Sequence, residues 1–277
     1  MGQRILSTFL LWTLLGGALW FFRTPGALVV ITLISALTLR EFYQLMRGAG
    51  YDPFDKFGIA VGVLVTLAPW LEARLGWPMG MVLPLAVVVC AVRLLGERTP
   101  ETRVEALATT LFGIVYVPLM LSYLVAILVP QPGDAAGADA RLLLALWLVA
   151  VAKFCDVGAL LAGLAFGRHR MSPQISPKKT WEGAVGGVLI SAGVGAGIAW
   201  FASEHLSPTL TPLVAALIAV PLALVTIVSD LIESALKRRA DTKDTGALIP
   251  GIGGAFDLTD SLILTAPLAY FIFLFLE

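Results

Sequence analysis

Eight stretches of this chain run for 15 residues or more without one Asp, Glu, Lys or Arg: Ile5–Phe22, Thr24–Leu39, Phe57–Leu71, Leu75–Val92, Ala106–Gly133, Gly183–Ser203, Leu206–Ser229 and Ser261–Leu276. A ninth, Leu142–Ala165, is interrupted only by Lys153 and Asp156. A helix crosses the hydrocarbon of a bilayer with about 20 apolar residues, in a range of about 17–25. Inside lipid a backbone must satisfy its own polar groups, and a helix does so along its whole length. Pro69, Pro84, Pro118 and Pro221 fall within these runs, where neighbouring groups re-satisfy the freed backbone. Only 14% of the 277 residues are charged, against about 25% in soluble domains, too few to cover a water-facing surface. The expected fold class is all-α, a polytopic integral membrane protein with about nine transmembrane helices. Residues 1–135 carry helices one to five and residues 136–277 helices six to nine, within one integrated membrane domain.

The 19 basic and 19 acidic residues cancel. A nucleic-acid binder shows a basic excess, so no such partner is expected. Cys90 and Cys155 both sit in apolar stretches and build neither a disulfide framework nor a zinc spacing. No small-residue cleavage site closes the first run, which is read as a retained span. Segments between successive helices alternate between the two sides of a membrane. Fifteen of the 19 Lys and Arg fall on the side of the N-terminus, only Arg23, Arg74 and Arg141 on the other, and Lys153 lies within a helix. Cytoplasmic loops are enriched in Lys and Arg. The N-terminus is therefore expected inside and the C-terminus outside, with loops 166–182 and 237–256 cytoplasmic.

Those two loops carry the chemistry. The first, from Phe166 to Gly187, combines Arg168, Arg170, Lys178 and Lys179 with Ser176 and Thr180 and a glycine-rich helix start. Charge, hydroxyl donors and free N–H groups at a helix N-terminus are what bind phosphate. His169, alone among basic residues, is read as a plain loop residue. Near the second loop the chain twice reads Asp-Leu-x-(Asp/Glu)-Ser: Asp230, Glu233 and Ser234, then Asp257, Asp260 and Ser261. Residues at i, i+3 and i+4 share a helix face, so each segment presents two carboxylates and a hydroxyl on one stripe. The two helices are consecutive and antiparallel, and the stripes can meet. Four acids gathered there repel unless a cation sits between them, and oxygen ligands of this kind suit Mg2+, alone or with a second cation. An ionised Asp within a membrane helix costs about 2.5–3.5 kcal/mol on insertion scales, which makes each a candidate for function. Lys153 and Asp156, three apart, are either a self-contained ion pair or the rim of the same cavity. Lys243 and Asp244 precede Pro250-Gly-Ile-Gly-Gly254, where Gly253 and Gly254 let the backbone approach a ligand closely.

The combination resembles the phosphatidate cytidylyltransferases (CDP-diacylglycerol synthases). Their C-terminal signature has Ser-x-apolar-Lys-Arg, four residues, Lys-Asp, a Pro-Gly-His-Gly-Gly turn and Asp-Arg-x-Asp. This chain has Ser234-Ala-Leu-Lys-Arg238, Lys243-Asp244, Pro250-Gly-Ile-Gly-Gly254 and Asp257-Leu-Thr-Asp260 with the spacing kept. Asp156-Val-Gly-Ala, Phe166-Gly and Ile175-Ser-Pro-Lys-Lys-Thr-Trp-Glu-Gly183 are similar too, so the motifs cover about residues 153–265. Two positions depart: Ile252 stands at the signature's histidine and Leu258 at its arginine, and neither side chain can bind phosphate or move a proton.

The resemblance implies transfer of CMP from CTP to phosphatidate, releasing pyrophosphate and CDP-diacylglycerol in phospholipid biosynthesis. It implies Asp230 and Asp257 as metal carboxylates, with Glu233, Asp244 and Asp260 as further ligands or support. Lys178 and Lys179 would neutralise phosphate, and Lys237, Arg238 and Lys243 would assist. Asp156, Ser176, Thr180, Gly253 and Gly254 complete the candidate substrate contacts. The expected partners are CTP, phosphatidate and the bilayer, with a homodimer left open, and the expected location is a bacterial cytoplasmic membrane. Three rivals stand beside this reading. An ion-coupled secondary transporter would place its acids near mid-bilayer within inverted repeats; none is visible. A polyprenol kinase or other lipid-phosphate enzyme shares the chemistry, though the Asp-Gly-x-x-Ala-Arg motif of CDP-alcohol phosphotransferases is absent. A non-catalytic descendant would account for Ile252 and Leu258.

Overall fold

The computed structural model describes residues 2–76, 78–93, 100–130, 137–242, 245–246 and 253–276. Among them, seven helices are long and apolar enough to cross a membrane: Phe21–Gly48, Asp55–Leu75, Val104–Leu128, Ala138–Phe166, Trp181–Phe201, Pro212–Arg239 and Ala255–Leu274. Each contains most of one of the nine apolar runs. Their surfaces expose large apolar side chains such as Leu160, Leu164, Leu189, Leu213 and Leu217, as a lipid-facing surface requires. The chain is an integral membrane protein.

The other two runs take different forms. α1 (Gly2–Gly48) spans the first two runs, and the helical path breaks between them at Arg23, whose φ is 46°. The expected span Leu75–Val92 is instead divided. α2 (Asp55–Leu75) ends on Gly76, which turns left-handed at φ 68° and returns its N–H to the Glu72 carbonyl. A short 3-10 turn, Met79–Met81, then leads into α3 (Val82–Arg93). With 12 residues, α3 is about 18 Å long, short of the roughly 30 Å hydrocarbon. An apolar run cannot reveal such a division, because glycine and proline count as uncharged.

By packing, the chain forms two units: residues 1–129 with 236–259, and residues 130–235 with 260–277. In the first, α1 and α2 are joined by the Ser35–Thr66 hydroxyl pair at 2.8 Å. The next span consists of α4 (Pro100–Ile114), a π-helical turn at Val115–Leu119 and α5 (Met120–Leu128). Pro118 lacks an N–H and sits in that widened turn, a combination expected where a proline enters a helix. A Cβ on Gly62 of α2 would come within 3.2 Å of the Pro118 ring, so a glycine there lets the two helices close. Phe42, Tyr43, Tyr116 and Phe256 form the aromatic core of this unit.

In the second unit, α6 (Ala138–Phe166) packs along α7 (Trp181–Phe201) through small residues. A Cβ on Gly158 would meet the Gly187 backbone at 3.1 Å, and one on Gly187 would meet the Cys155 carbonyl at 2.8 Å. Small residues are how membrane helices approach, since lipid offers no hydrophobic drive between them. Two side chains cross the seam: Trp147 Nε1 donates to the Gly195 carbonyl at 2.9 Å, and Ser191 Oγ to that of Val151 at 2.9 Å. α8 (Pro212–Arg239), α9 (Ala255–Ile263) and α10 (Thr265–Leu274) follow. The loop expected between α6 and α7 is not wholly irregular. Residues Arg170–Ser172 (β1) and Ser176–Thr180 (β2) form an antiparallel pair, a small departure from the all-α expectation.

Candidate functional site

The hairpin gives two adjacent lysines different surroundings. Successive strand residues point to opposite faces. Lys178 is exposed, whereas Lys179 turns inward and its Nζ lies 2.6 Å from Asp230 Oδ2. Ser176 sits at the start of β2, paired with Ser172. Thr180 is the N-cap of α7, its hydroxyl accepting from the Gly183 N–H at 3.1 Å. Glu182, in the first turn of α7, holds the approach to the hairpin: it accepts from the backbone N–H groups of Arg168 and His169 and meets His169 Nδ1 at 2.5 Å. His169 is thus a structural contact, as its isolation in the sequence suggests.

Around Asp230 the second unit collects its acids. Asp230, Glu233 and Asp260 each offer a carboxylate oxygen, and the three oxygens lie within 4.8 Å of one another. Glu233 and Asp260 are buried, and Asp230 is half-buried. The i,i+3 spacing of Asp230 and Glu233 puts both on one stripe of α8, and Asp260 arrives from α9. Asp260 is fixed by its backbone, since its carbonyl accepts from Ser229 Oγ, and its Oδ1 accepts the Ser261 N–H at 2.6 Å. Asp156 stands beside the group on α6. Lys153 lies between them, 3.6 Å from Asp156 Oδ2 and 3.6 Å from Asp260 Oδ1. Three converging carboxylates of this kind are a donor set that fits a hard divalent cation.

The first unit holds a different arrangement. Lys237, near the end of α8, pairs with Asp257 on α9. The other Asp257 oxygen accepts the Gly254 N–H at 2.7 Å, which is the N3-to-N-cap half of a capping box. Gly254 has no side chain to return the cap. Glu41, from α1, supplies it: the buried carboxylate accepts the Phe256 N–H at 2.9 Å and faces Thr245 Oγ1 at 3.4 Å. Gly253 has φ 124°, and a Cβ there would strike the Asp257 carboxylate, while one on Gly254 would strike Glu41. The close approach these glycines allow is to the protein's own carboxylates. Thr38 of α1 and Thr259 pair their hydroxyls at 3.0 Å, fastening α9 further. Arg238 is exposed at the end of α8, and Leu258 is half-buried on α9. Lys243, Asp244 and Ile252 lie outside the described residues.

The sequence profile of the cytidylyltransferase family matches residues 2–276. The chain belongs to this family. Phosphatidate cytidylyltransferase of Synechocystis is 33% identical over 280 residues, covering 93% of this chain and 89% of the relative. That of Mycobacterium bovis is 31% identical over 266 residues, covering 90% and 80%. That of Mycobacterium leprae is 33% identical over 273 residues, covering 91% and 78%.

Two features of this cytidylyltransferase-family chain escape a sequence reading. Glu41 is 213 residues from Gly254 and sits in an ordinary stretch of α1, Arg-Glu-Phe-Tyr. Its one signal is an acid at the edge of an apolar run. The reach of Lys153 to Asp260 is equally hidden, although its spacing to Asp156 shows in the sequence.

Proposed function

We propose that the chain is a phosphatidate cytidylyltransferase. The observation that carries this reading is the group of three carboxylates, Asp230, Glu233 and Asp260, with Lys179 at its edge, in a family member whose relatives bear that name. An oxygen of the phosphatidate phosphate attacks the α-phosphorus of CTP. The bond from that phosphorus to the bridging oxygen breaks, and pyrophosphate leaves with its electron pair. The attacking oxygen is already anionic, so no general base is needed. Phosphoryl chemistry of this type depends on positioning and charge stabilisation.

Asp230, Glu233 and Asp260 would hold Mg2+. Bound there, the ion would supply charge neutralisation for the phosphate oxygens. Lys179, held against Asp230, is placed to move onto a substrate phosphate when one arrives. Lys178, on the opposite face of β2, meets anionic groups approaching from outside. Lys237 and Arg238 add positive charge at the end of α8, and Asp244 and Lys243 in the following loop assist. The hairpin would face the cytoplasm of a bacterial cytoplasmic membrane, because the loops rich in Lys and Arg lie on that side.

The test is direct: the purified protein is incubated with labelled CTP, phosphatidate and Mg2+. Labelled CDP-lipid and pyrophosphate are the expected products. Their absence, in protein that is folded and monodisperse, overturns the assignment.

A further inference from the structure

Lys153 has no role in the reaction as described, yet it is an ion placed within a membrane-spanning helix. An uncompensated charge there costs about 2.5–3.5 kcal/mol on insertion scales, and its surroundings show what compensates it. The Nζ stands at 3.6 Å from two carboxylates on different helices, Asp156 on its own α6 and Asp260 on α9. Asp260 is one of the three acids whose oxygens converge within 4.8 Å. A carboxylate in that group faces strong like-charge repulsion whenever no cation is bound, because charges a few ångströms apart interact strongly in a medium less polar than water.

We infer that Lys153 is a positioning residue that serves as the resident counter-ion of the site: its ammonium holds Asp260 in place in the metal-free protein, and a divalent cation binds in competition with it. The inference rests on the metal reading proposed above. Its logic is linkage. A group that stabilises the metal-free state more than the loaded state weakens metal binding by the same factor. Lys179 faces Asp230 in a similar way but from a strand at the edge of the site. Lys153 acts from inside a helix, bridging Asp156 and Asp260, and a cation entering between the carboxylates must share Asp260 with it.

The test uses the full chain in detergent, comparing wild type with Lys153→Met and Lys153→Arg. Mn2+ is the probe, its binding followed by electron paramagnetic resonance, with thermal unfolding measured in EDTA and in saturating Mn2+. Lys153→Met is expected to bind Mn2+ about tenfold more tightly. It should also lose about 3 °C or more of thermal midpoint in EDTA, with most of that loss recovered in Mn2+. Lys153→Arg, which keeps the charge, should stay near wild type in both. Should Lys153→Met not fold, Lys153→Gln carries the same comparison. An equal loss of midpoint with and without Mn2+, at unchanged affinity, would mean a plain packing role and overturns the inference. Weaker Mn2+ binding in Lys153→Met overturns it as well. Wild-type protein that binds no Mn2+ at all overturns the metal reading itself, a result separable from the other two.

Discussion

At the scale of the residue, the acids of this chain divide by what they touch. Asp230, Glu233 and Asp260 face one another, whereas Asp257 and Glu41 face backbone N–H groups at the start of α9. Substitution should separate the two kinds. Asp230→Asn or Asp260→Asn is expected to abolish CDP-lipid formation while the protein still elutes as a folded species in detergent; wild-type turnover in either would remove these residues from the mechanism. Glu41→Ala should act on stability, because it strands the buried Phe256 N–H at a cost of about 1–3 kcal/mol. Glu41→Gln keeps an acceptor oxygen and should lose much less. The thermal midpoints of the two variants decide this, and equal losses would show that charge and not the cap is what matters. The stripe Asp230–Glu233 is legible in the sequence because a helix repeats every 3.6 residues. Glu41 is not, because no local pattern links it to a glycine more than 200 positions away.

At the scale of the element, the hairpin between α6 and α7 is where sequence and structure differ most. Pro173 and Pro177 within Arg-Met-Ser-Pro-Gln-Ile-Ser-Pro-Lys-Lys-Thr count against a strand, so the pairing is hidden in the sequence. Only the strand shows that Lys178 and Lys179 have different surroundings. Lys179→Gln should therefore lower kcat by an order of magnitude or more, as loss of a single placed donor or charge does. Lys178→Gln should change mainly KM for the anionic lipid. Steady-state kinetics on mixed micelles separate the two, and matching profiles would contradict the opposed faces. The apolar runs, in contrast, predict seven of the spans well, since lipid demands a continuous apolar helix. They fail at Leu75–Val92, where Gly76 and Pro78 shape the backbone without changing its polarity.

At the scale of the whole molecule, the distribution of charge carries the topology. The proposed orientation places the hairpin inside and the segment after α7 outside. Both native cysteines are fully buried, so an added thiol reports by itself. Gln174 in the hairpin turn and Glu204 beyond α7 are both exposed. Gln174→Cys should react with an impermeant maleimide only in inside-out vesicles, and Glu204→Cys only in right-side-out ones. Labelling of both from one side would refute the span between them.

The doubled lysine of β2 also bears on a kind of change that substitution never samples. Loss of one codon from the Lys178–Lys179 pair leaves a lysine immediately before Thr180, whose hydroxyl still caps α7 and still sets the facing of the residue ahead of it. The surviving lysine inherits the inward place beside Asp230, and Pro177 moves to the outward one. Deleting a residue should therefore do less harm to turnover than replacing Lys179 by glutamine, an inversion of the usual ranking. The tandem is a spare part built into the reading frame.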